Sequence, residues 1–263
     1  MLHILPVAAF SDNYIWLLSD ENKKYAAIVD PGDANVTIEA LTQYEMQPIA
    51  ILITHHHADH VGGIEALLQK YPDLPVYGPA NESIPFMTHP LTAENTVKLE
   101  ALDANLQVLD IPGHTAGHIA YYHEDEVEKR LFCGDTLFAN GCGRVLGGTL
   151  HDLHHSLQQI AALPPETLIY CAHEYTLDNI GFAKWVEPDN QALLAHEQTV
   201  FKLMDANKPS IPTSLQLEKS INPFLRVNQK SVISAVEKYC RHPLANSTEV
   251  FSVLRTWKDR AYD

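Results

Sequence analysis

The chain has 263 residues, 46% of them hydrophobic and 19% charged, which is the composition of a folded globular protein and excludes a disordered one. Its 18 Lys and Arg stand against 33 Asp and Glu, and the net charge of −15 argues against nucleic acid or anionic membrane as partners. The charge is uneven: residues 1–173 hold 7 basic and 22 acidic side chains, residues 174–263 hold 11 of each, and residues 219–263 hold 8 basic against 4 acidic.

The first stretch, LHILPVAAF, is apolar, but no cation precedes Lys23, Pro6 interrupts it and Asp12 follows, so it does not read as a signal peptide. No apolar run approaches the ~18 residues needed to span a bilayer, and a soluble cytoplasmic protein is expected. Strands are predicted at Tyr14–Leu18, Ala26–Val29, Ile49–Ile53, Leu106–Ile111, Ile119–Tyr122, Leu131–Cys133 and Leu168–Cys171. Helical patterns at Val36–Tyr44, Ile64–Tyr71 and Leu153–Leu163 lie between them, so residues 1–173 are expected to form a layered α/β domain.

Beyond Cys171 the strand signal stops. Helices are predicted at Asn190–Asn207, Ser231–Tyr239 and Thr248–Arg260, with Lys208–Pro223 as a long loop, and residues 174–263 are expected to form a helical second domain. The last helix opens on a capping box, Asn246 with Glu249, and its buried stripe is read as Val250, Phe251, Leu254 and Trp257, with Arg255 and Lys258 beside it. Cys133, Cys142, Cys171 and Cys240 form no CxxC pair and are expected to be reduced thiols, Cys142 being a packing residue between two glycines.

Histidine carries the chemistry. Among 15 histidines, the segment THHHADH places His55, His57, Asp59 and His60 in a turn directly after the strand Ile49–Ile53, where donors at alternate positions can converge on a metal ion. His114, Asp135 and His173 each stand just beyond the end of a later strand. Sites in open α/β sheets lie outside the carboxyl ends of strands, so these seven residues are expected in one crevice. Seven donors exceed the three or four of a single zinc site and suggest two metals, with Asp135 the natural bridge because a carboxylate has two oxygens. Spacing alone does not assign ligands to metals. His56 is expected to face away, His118 to support the ligands, and His151, His154 and His155 to form a solvated helix face.

HxHxDH at His55–His60, GHTxGH at Gly113–His118 and GDT at Gly134–Thr136, in that order, resemble the metallo-β-lactamase superfamily. GCGR at Gly141–Arg144, CAHEYT at Cys171–Thr176, NPFLR at Asn222–Arg226 and RTWK at Arg255–Lys258 are similar to the glyoxalase II, or hydroxyacylglutathione hydrolase, family over essentially the whole chain. The resemblance implies an αββα sandwich with a C-terminal helical domain. It implies that His55, His57 and His114 hold one metal, that Asp59, His60 and His173 hold the other, and that Asp135 bridges them. The ions would be zinc, with iron or manganese as alternatives. It further implies that a bridging hydroxide held by Asp59 and Asp135 hydrolyses S-D-lactoylglutathione to glutathione and D-lactate, the second step of methylglyoxal detoxification. Arg144, Tyr175, Arg255 and Lys258 would hold the glutathione, and Asp30 would steady the metal loop. A monomer is expected.

The chain departs from the family where Val145, Leu146, Gly147, Gly148 and Thr149 stand in place of Leu-Phe-Glu-Gly-Thr, so the hold on the thiol part is expected to be weaker or shifted. That departure keeps a broad thioesterase or a lactonase as rival hydrolases. A persulfide dioxygenase would use a single iron, against which seven donors speak, and a non-catalytic metal-binding module has no need of an open site.

Overall fold

A computed structural model describes residues 2–262, which contacts divide into two compact units: residues up to 110 with 116–134, and residues 111–115 with 135 onward. In the first unit, strands β1 (His3–Ala9), β2 (Asn13–Ser19) and β3 (Tyr25–Val29) are antiparallel neighbours, and β4 (Gln47–Leu52), β5 (Val76–Pro79) and β6 (His89–Leu91) add in parallel. Parallel neighbours need crossovers, supplied by α1 (Ala34–Gln43) between β3 and β4, and by α2 (Ala58–Val61) and α3 (Ile64–Lys70) between β4 and β5. Continuous apolar runs suit strands covered on both faces, and Ala26–Val29 and Ala50–Ile53 are all buried. One core joins Leu17, Ile28 and Ile51 of the sheet to Leu41, Ile64 and Leu67 of the helices.

Because β3, β4 and β5 are parallel, the segments that follow them leave the same edge of the sheet. The β1–β2 hairpin tip lies at that edge too, since β2 begins beyond its pairing of Trp16 with Val29 at the end of β3. A second sheet in this unit carries β7 (Thr96–Leu99), β8 (Ala104–Asp110), β9 (Ile119–Glu124) and β10 (Lys129–Gly134) as antiparallel neighbours. It is joined to the end of β4 by the Tyr121 hydroxyl, which donates to the Ile53 carbonyl at 2.7 Å, and by Ile119 N, which donates to the Thr54 carbonyl at 3.0 Å.

The second unit holds the hairpin β11 (Leu137–Phe138) and β12 (Gly141–Cys142), helix α4 (Leu150–Ala161), and β13 (Leu168–Cys171) paired with β14 (Thr213–Ser214). It also holds α5 (Thr176–Val186), α6 (Gln191–Asp205), α7 (Leu215–Ile221), α8 (Lys230–Cys240) and α9 (Ser247–Ala261). Ile180, Ala183, Leu193, Val200 and Ile221 form the core among α5, α6 and α7. At the start of α9, Asn246 accepts from Glu249 N at 3.0 Å, while the Glu249 carboxylate reaches back to Ala245 N at 2.8 Å.

Several expectations are corrected. The span Lys208–Pro223 is not a plain loop, since it contains β14 and α7. Along α9 the buried stripe takes in Arg255 and Lys258, whose long alkyl stems pack inward, while Trp257 is half-buried. His154 is no solvated residue: its ring is buried, stacked on Phe251 with centroids 5.0 Å apart, and its Nδ1 lies 3.2 Å from the Thr248 hydroxyl. His151 and His155 on the same helix are exposed. Among the described residues no helix is long and apolar enough to cross a membrane.

Candidate metal centre

In the first unit the donors follow β4. Asp30, just past β3 and held at φ 51°, sets the geometry: its carboxylate accepts from Thr54 N at 2.8 Å and from the Thr54 hydroxyl at 2.7 Å. Because that hydroxyl donates to Asp30, it accepts from His55 Nδ1, 3.1 Å away, which leaves His55 Nε2 as the lone-pair nitrogen. The other Asp30 contact is to His60, whose Nδ1 lies 3.0 Å from Oδ2, so one carboxylate orients two histidines. His55 Nε2 and His57 Nδ1 stand 3.0 Å apart, and His60 Nε2 is 3.5 Å from Asp59 Oδ2. Asn13, at the start of β2, donates to that same Asp59 oxygen at 3.0 Å.

His56 points the other way. Its backbone N and its Nδ1 both donate to Oε2 of the buried Glu82, at 2.7 and 2.8 Å, and Gly117 N donates to Oε1 at 3.1 Å. The His118 ring is buried and stacks on His55 with centroids 4.6 Å apart. Gly134 closes over them with φ 48°, and a Cβ there would stand 2.4 Å from the Thr54 hydroxyl and 2.8 Å from His118 Nε2. Gly134→Ala is therefore expected to lower stability by about 1–3 kcal/mol, read as a fall in the denaturation midpoint. An unchanged midpoint would show that this corner yields.

In the second unit, Asp135 lies between two imidazoles: Oδ2 is 3.5 Å from His114 Nε2, and Oδ1 is 3.4 Å from His173 Nε2. His114 Nδ1 donates to the Arg144 carbonyl at 2.8 Å, which turns Nε2 toward Asp135. The His114 carbonyl in turn accepts from Leu146 N and Gly147 N, at 2.9 and 3.0 Å. Both donors are backbone groups, so the altered side chains at Val145–Gly148 leave this brace intact. The His173 ring stacks on Tyr175 at 4.7 Å and meets Phe138 edge-on.

The cations near α9 are held by carboxylates of the same unit. Arg255 is buried over the Phe224 ring, donating to the Cys142 carbonyl at 2.9 Å and to Asp259 at 2.9 Å, and Arg144 Nε lies 4.0 Å from Asp259. Lys258 Nζ is 3.3 Å from Asp178 Oδ2. Burial pushes the Cys142 thiol up to about 11 despite the nearby Arg255 guanidinium.

Sequence reasoning missed the network that fixes the β11–β12 hairpin. Oε2 of Glu218, fully buried on α7, accepts from Asn140 N at 2.8 Å and Asn222 Nδ2 at 2.9 Å, and Oε1 accepts from the Thr213 hydroxyl at 2.9 Å. Asn222 also donates to the carbonyls of Phe138 and Gly141. The one signal was the presence of Asn222 in the NPFLR motif.

Histidine and carboxylate donors of this kind suit a divalent ion. Nitrogen and oxygen donors bound to one ion at about 2.0–2.2 Å stand about 3.0–3.6 Å apart, and the donor separations within each unit, 3.0 to 3.5 Å, fit that spacing.

The fold is that of the metallo-β-lactamases: residues 10–173 match the family described as the metallo-beta-lactamase superfamily. The structure is similar to that of BLEG-1 B3 metallo-beta-lactamase, 26% identical, with TM-score 0.61 over 86% of this chain and 99% of that one. It is also similar to TTHA1623 in a di-iron-bound form, 28% identical, with TM-score 0.58 over 84% of this chain and 100% of that one. Residues 174–261 match the family described as Hydroxyacylglutathione hydrolase C-terminus. A curated protein of Nitrosomonas europaea named Hydroxyacylglutathione hydrolase is 50% identical over 98% of this chain and 96% of its own length. The chain belongs to the hydroxyacylglutathione hydrolase family within that superfamily, a family of metal-dependent enzymes.

Proposed function

We propose that the chain hydrolyses S-D-lactoylglutathione to glutathione and D-lactate, the second step of methylglyoxal detoxification. Two divalent ions would be held by His55, His57 and His114 and by Asp59, His60 and His173, with Asp135 between them and zinc the first choice. Such ions, when bound, supply hydroxide at neutral pH and polarise the thioester carbonyl. The observation that carries this reading is Asp135, whose two oxygens face the Nε2 atoms of two different histidines.

The side chains supply the rest. Asp30 and Thr54 keep His55 and His60 in the tautomers a metal needs. Arg144, Arg255, Lys258 and Tyr175 are the proposed hold on glutathione, whose two carboxylates suit a cationic set. Arg144 has two parts to play: its carbonyl orients His114 while its guanidinium reaches Asp259. The thiols of Cys133, Cys142 and Cys171 are all buried and are assigned no nucleophilic role in this reading. The glutathione thiolate leaves readily, so no strong general acid is required. The reading includes a monomer and a cytoplasmic location, where thiols stay reduced.

The test is hydrolysis of S-D-lactoylglutathione, followed by loss of thioester absorbance, with Lys258→Ala beside wild type. Wild type is expected to turn over. The variant is expected to show KM raised about tenfold or more and kcat changed far less, because a hydrogen bond to a charged group is lost. A metal-loaded wild type that cleaves lactones or other thioesters but not this one would overturn the reading.

A further inference from the structure

With Ile53 N bonded to the Tyr77 carbonyl at 2.9 Å, the chain leaves the pairing of β4 with β5 and enters the donor loop. There Thr54 N is taken by Asp30 and His56 N by Glu82, so carboxylates stand where a neighbouring strand would supply carbonyls. The Glu82 side chain is 3% exposed, and burying a carboxylate is costly unless its oxygens are hydrogen-bonded.

Both oxygens are used, and on different segments. Oε2 accepts from His56 N at 2.7 Å and from His56 Nδ1 at 2.8 Å, while Oε1 accepts from Gly117 N at 3.1 Å. Gly117 fits there because it has no side chain: a Cβ would stand 2.6 Å from Glu82 Cγ and 3.1 Å from the Asn81 carbonyl oxygen. His56 lies between His55 and His57, whose Nε2 and Nδ1 stand 3.0 Å apart, and Gly117 precedes His118, whose ring stacks on His55 at 4.6 Å. The same segment is tied to the loop by Ile119 N, which donates to the Thr54 carbonyl at 3.0 Å. One carboxylate therefore pins the loop between two of its donors and, through Gly117, sets the segment that backs His55.

We propose that Glu82 is a positioning residue of the metal centre, whose clamp on the backbone of His56 and Gly117 keeps His55 and His57 at the spacing one ion requires and so raises the affinity for zinc. This rests on the metal-binding reading of the loop and deepens it. The contact that matters is the one to His56 N, because a shift of the backbone between His55 and His57 moves both. The His56 imidazole, 46% exposed, adds only a half-exposed ion pair. A carboxylate serves both sides of the clamp, whereas an amide has one oxygen to offer and would turn its N–H groups toward a second N–H donor.

The experiment strips metal from the protein and titrates zinc back against a chromophoric chelator, in wild type, Glu82→Gln, Glu82→Ala and His56→Ala, with the melting midpoint of each metal-free protein recorded beside it. Both Glu82 variants are expected to bind zinc about 10–100-fold more weakly, the usual effect of removing a group that orients metal ligands. His56→Ala keeps the backbone N–H and is expected to lose less than about fivefold. Glu82→Gln, of the same size, is expected to stay folded without metal. Glu82 variants that melt lower yet bind zinc as wild type does would make Glu82 a residue of the fold alone and overturn the proposal, and so would a Glu82→Gln that does not fold. A loss in His56→Ala as large as that in Glu82→Gln would overturn the backbone clamp. A wild type that takes up no zinc would instead bring down the metal-centre reading itself, before any variant is compared.

Discussion

Asp135→Ala is expected to lower kcat for thioester hydrolysis on the order of 10³-fold or more and to leave at most one ion per chain after dialysis. The reason lies in its two oxygens, 3.5 Å from His114 Nε2 and 3.4 Å from His173 Nε2. Alanine removes both, and the two imidazoles then face each other with no anion to offset the cations they bind. Asp135→Asn keeps one oxygen and should fall between wild type and the alanine variant in metal content as well as in rate. Elemental analysis alongside the rate decides the matter: an alanine variant with full metal and full activity would remove Asp135 from the centre.

Glu218 should make stability depend on pH in the direction opposite to that of most carboxylates. Burial outweighs its three hydrogen-bond donors and raises it from an ordinary 4.5 to about 7. A folded-state value above the unfolded one stabilises the fold while the group is protonated. That contribution is complete below 4.5 and is lost as pH rises through about 7, a change of about 3 kcal/mol. Glu218→Gln cannot ionise. Its amide oxygen can accept from Asn140 N and Asn222 Nδ2, and its amide nitrogen can donate to the Thr213 hydroxyl, so the network is kept. The variant is expected to match wild type near pH 5 and to exceed it by up to about 3 kcal/mol at pH 8. Denaturant midpoints of both proteins at both pH values check this, and taking differences at each pH cancels the titration of every other group. A variant destabilised equally at both would show that the charge itself is needed.

Much of the candidate donor set was legible, because folding alone gives no reason for THHHADH after an apolar strand. The supports were not legible. Asp30 and Thr54 sit in ordinary turn and strand-end contexts, and their role appears only when the parallel pairing of β3 with β4 places them side by side. Glu82 is 26 residues from His56, a separation at which no periodicity speaks. Among the elements, β1 is masked in the sequence because Pro6 interrupts it, yet β1 is an edge strand, where a missing N–H is tolerated. Helix α5 has Gly181 at its middle, carries Thr176 and Asn179 on its buried face and leaves Trp185 exposed, so it lacks the clean apolar stripe by which helices are recognised. Arg255 and Lys258 read as flanking the stripe of α9 because charge ordinarily means solvent, whereas each carries a paired head group on a buried stem.

The burial of Cys142 has a chemical consequence for an enzyme that handles activated acyl groups. Thioesters transfer their acyl group to any accessible thiolate, and this thiol stands in the hairpin next to Gly143 and Arg144. Burial outweighs the Arg255 guanidinium 3.9 Å from the sulfur, which favours the thiolate, and with its value near 11 only about one molecule in 10⁴ carries the thiolate at pH 7. Self-acylation by substrate and thiolate attack on glutathione disulfide, which would release one glutathione thiolate, are both suppressed at that position, so the protein can handle reactive acyl groups without modifying itself there.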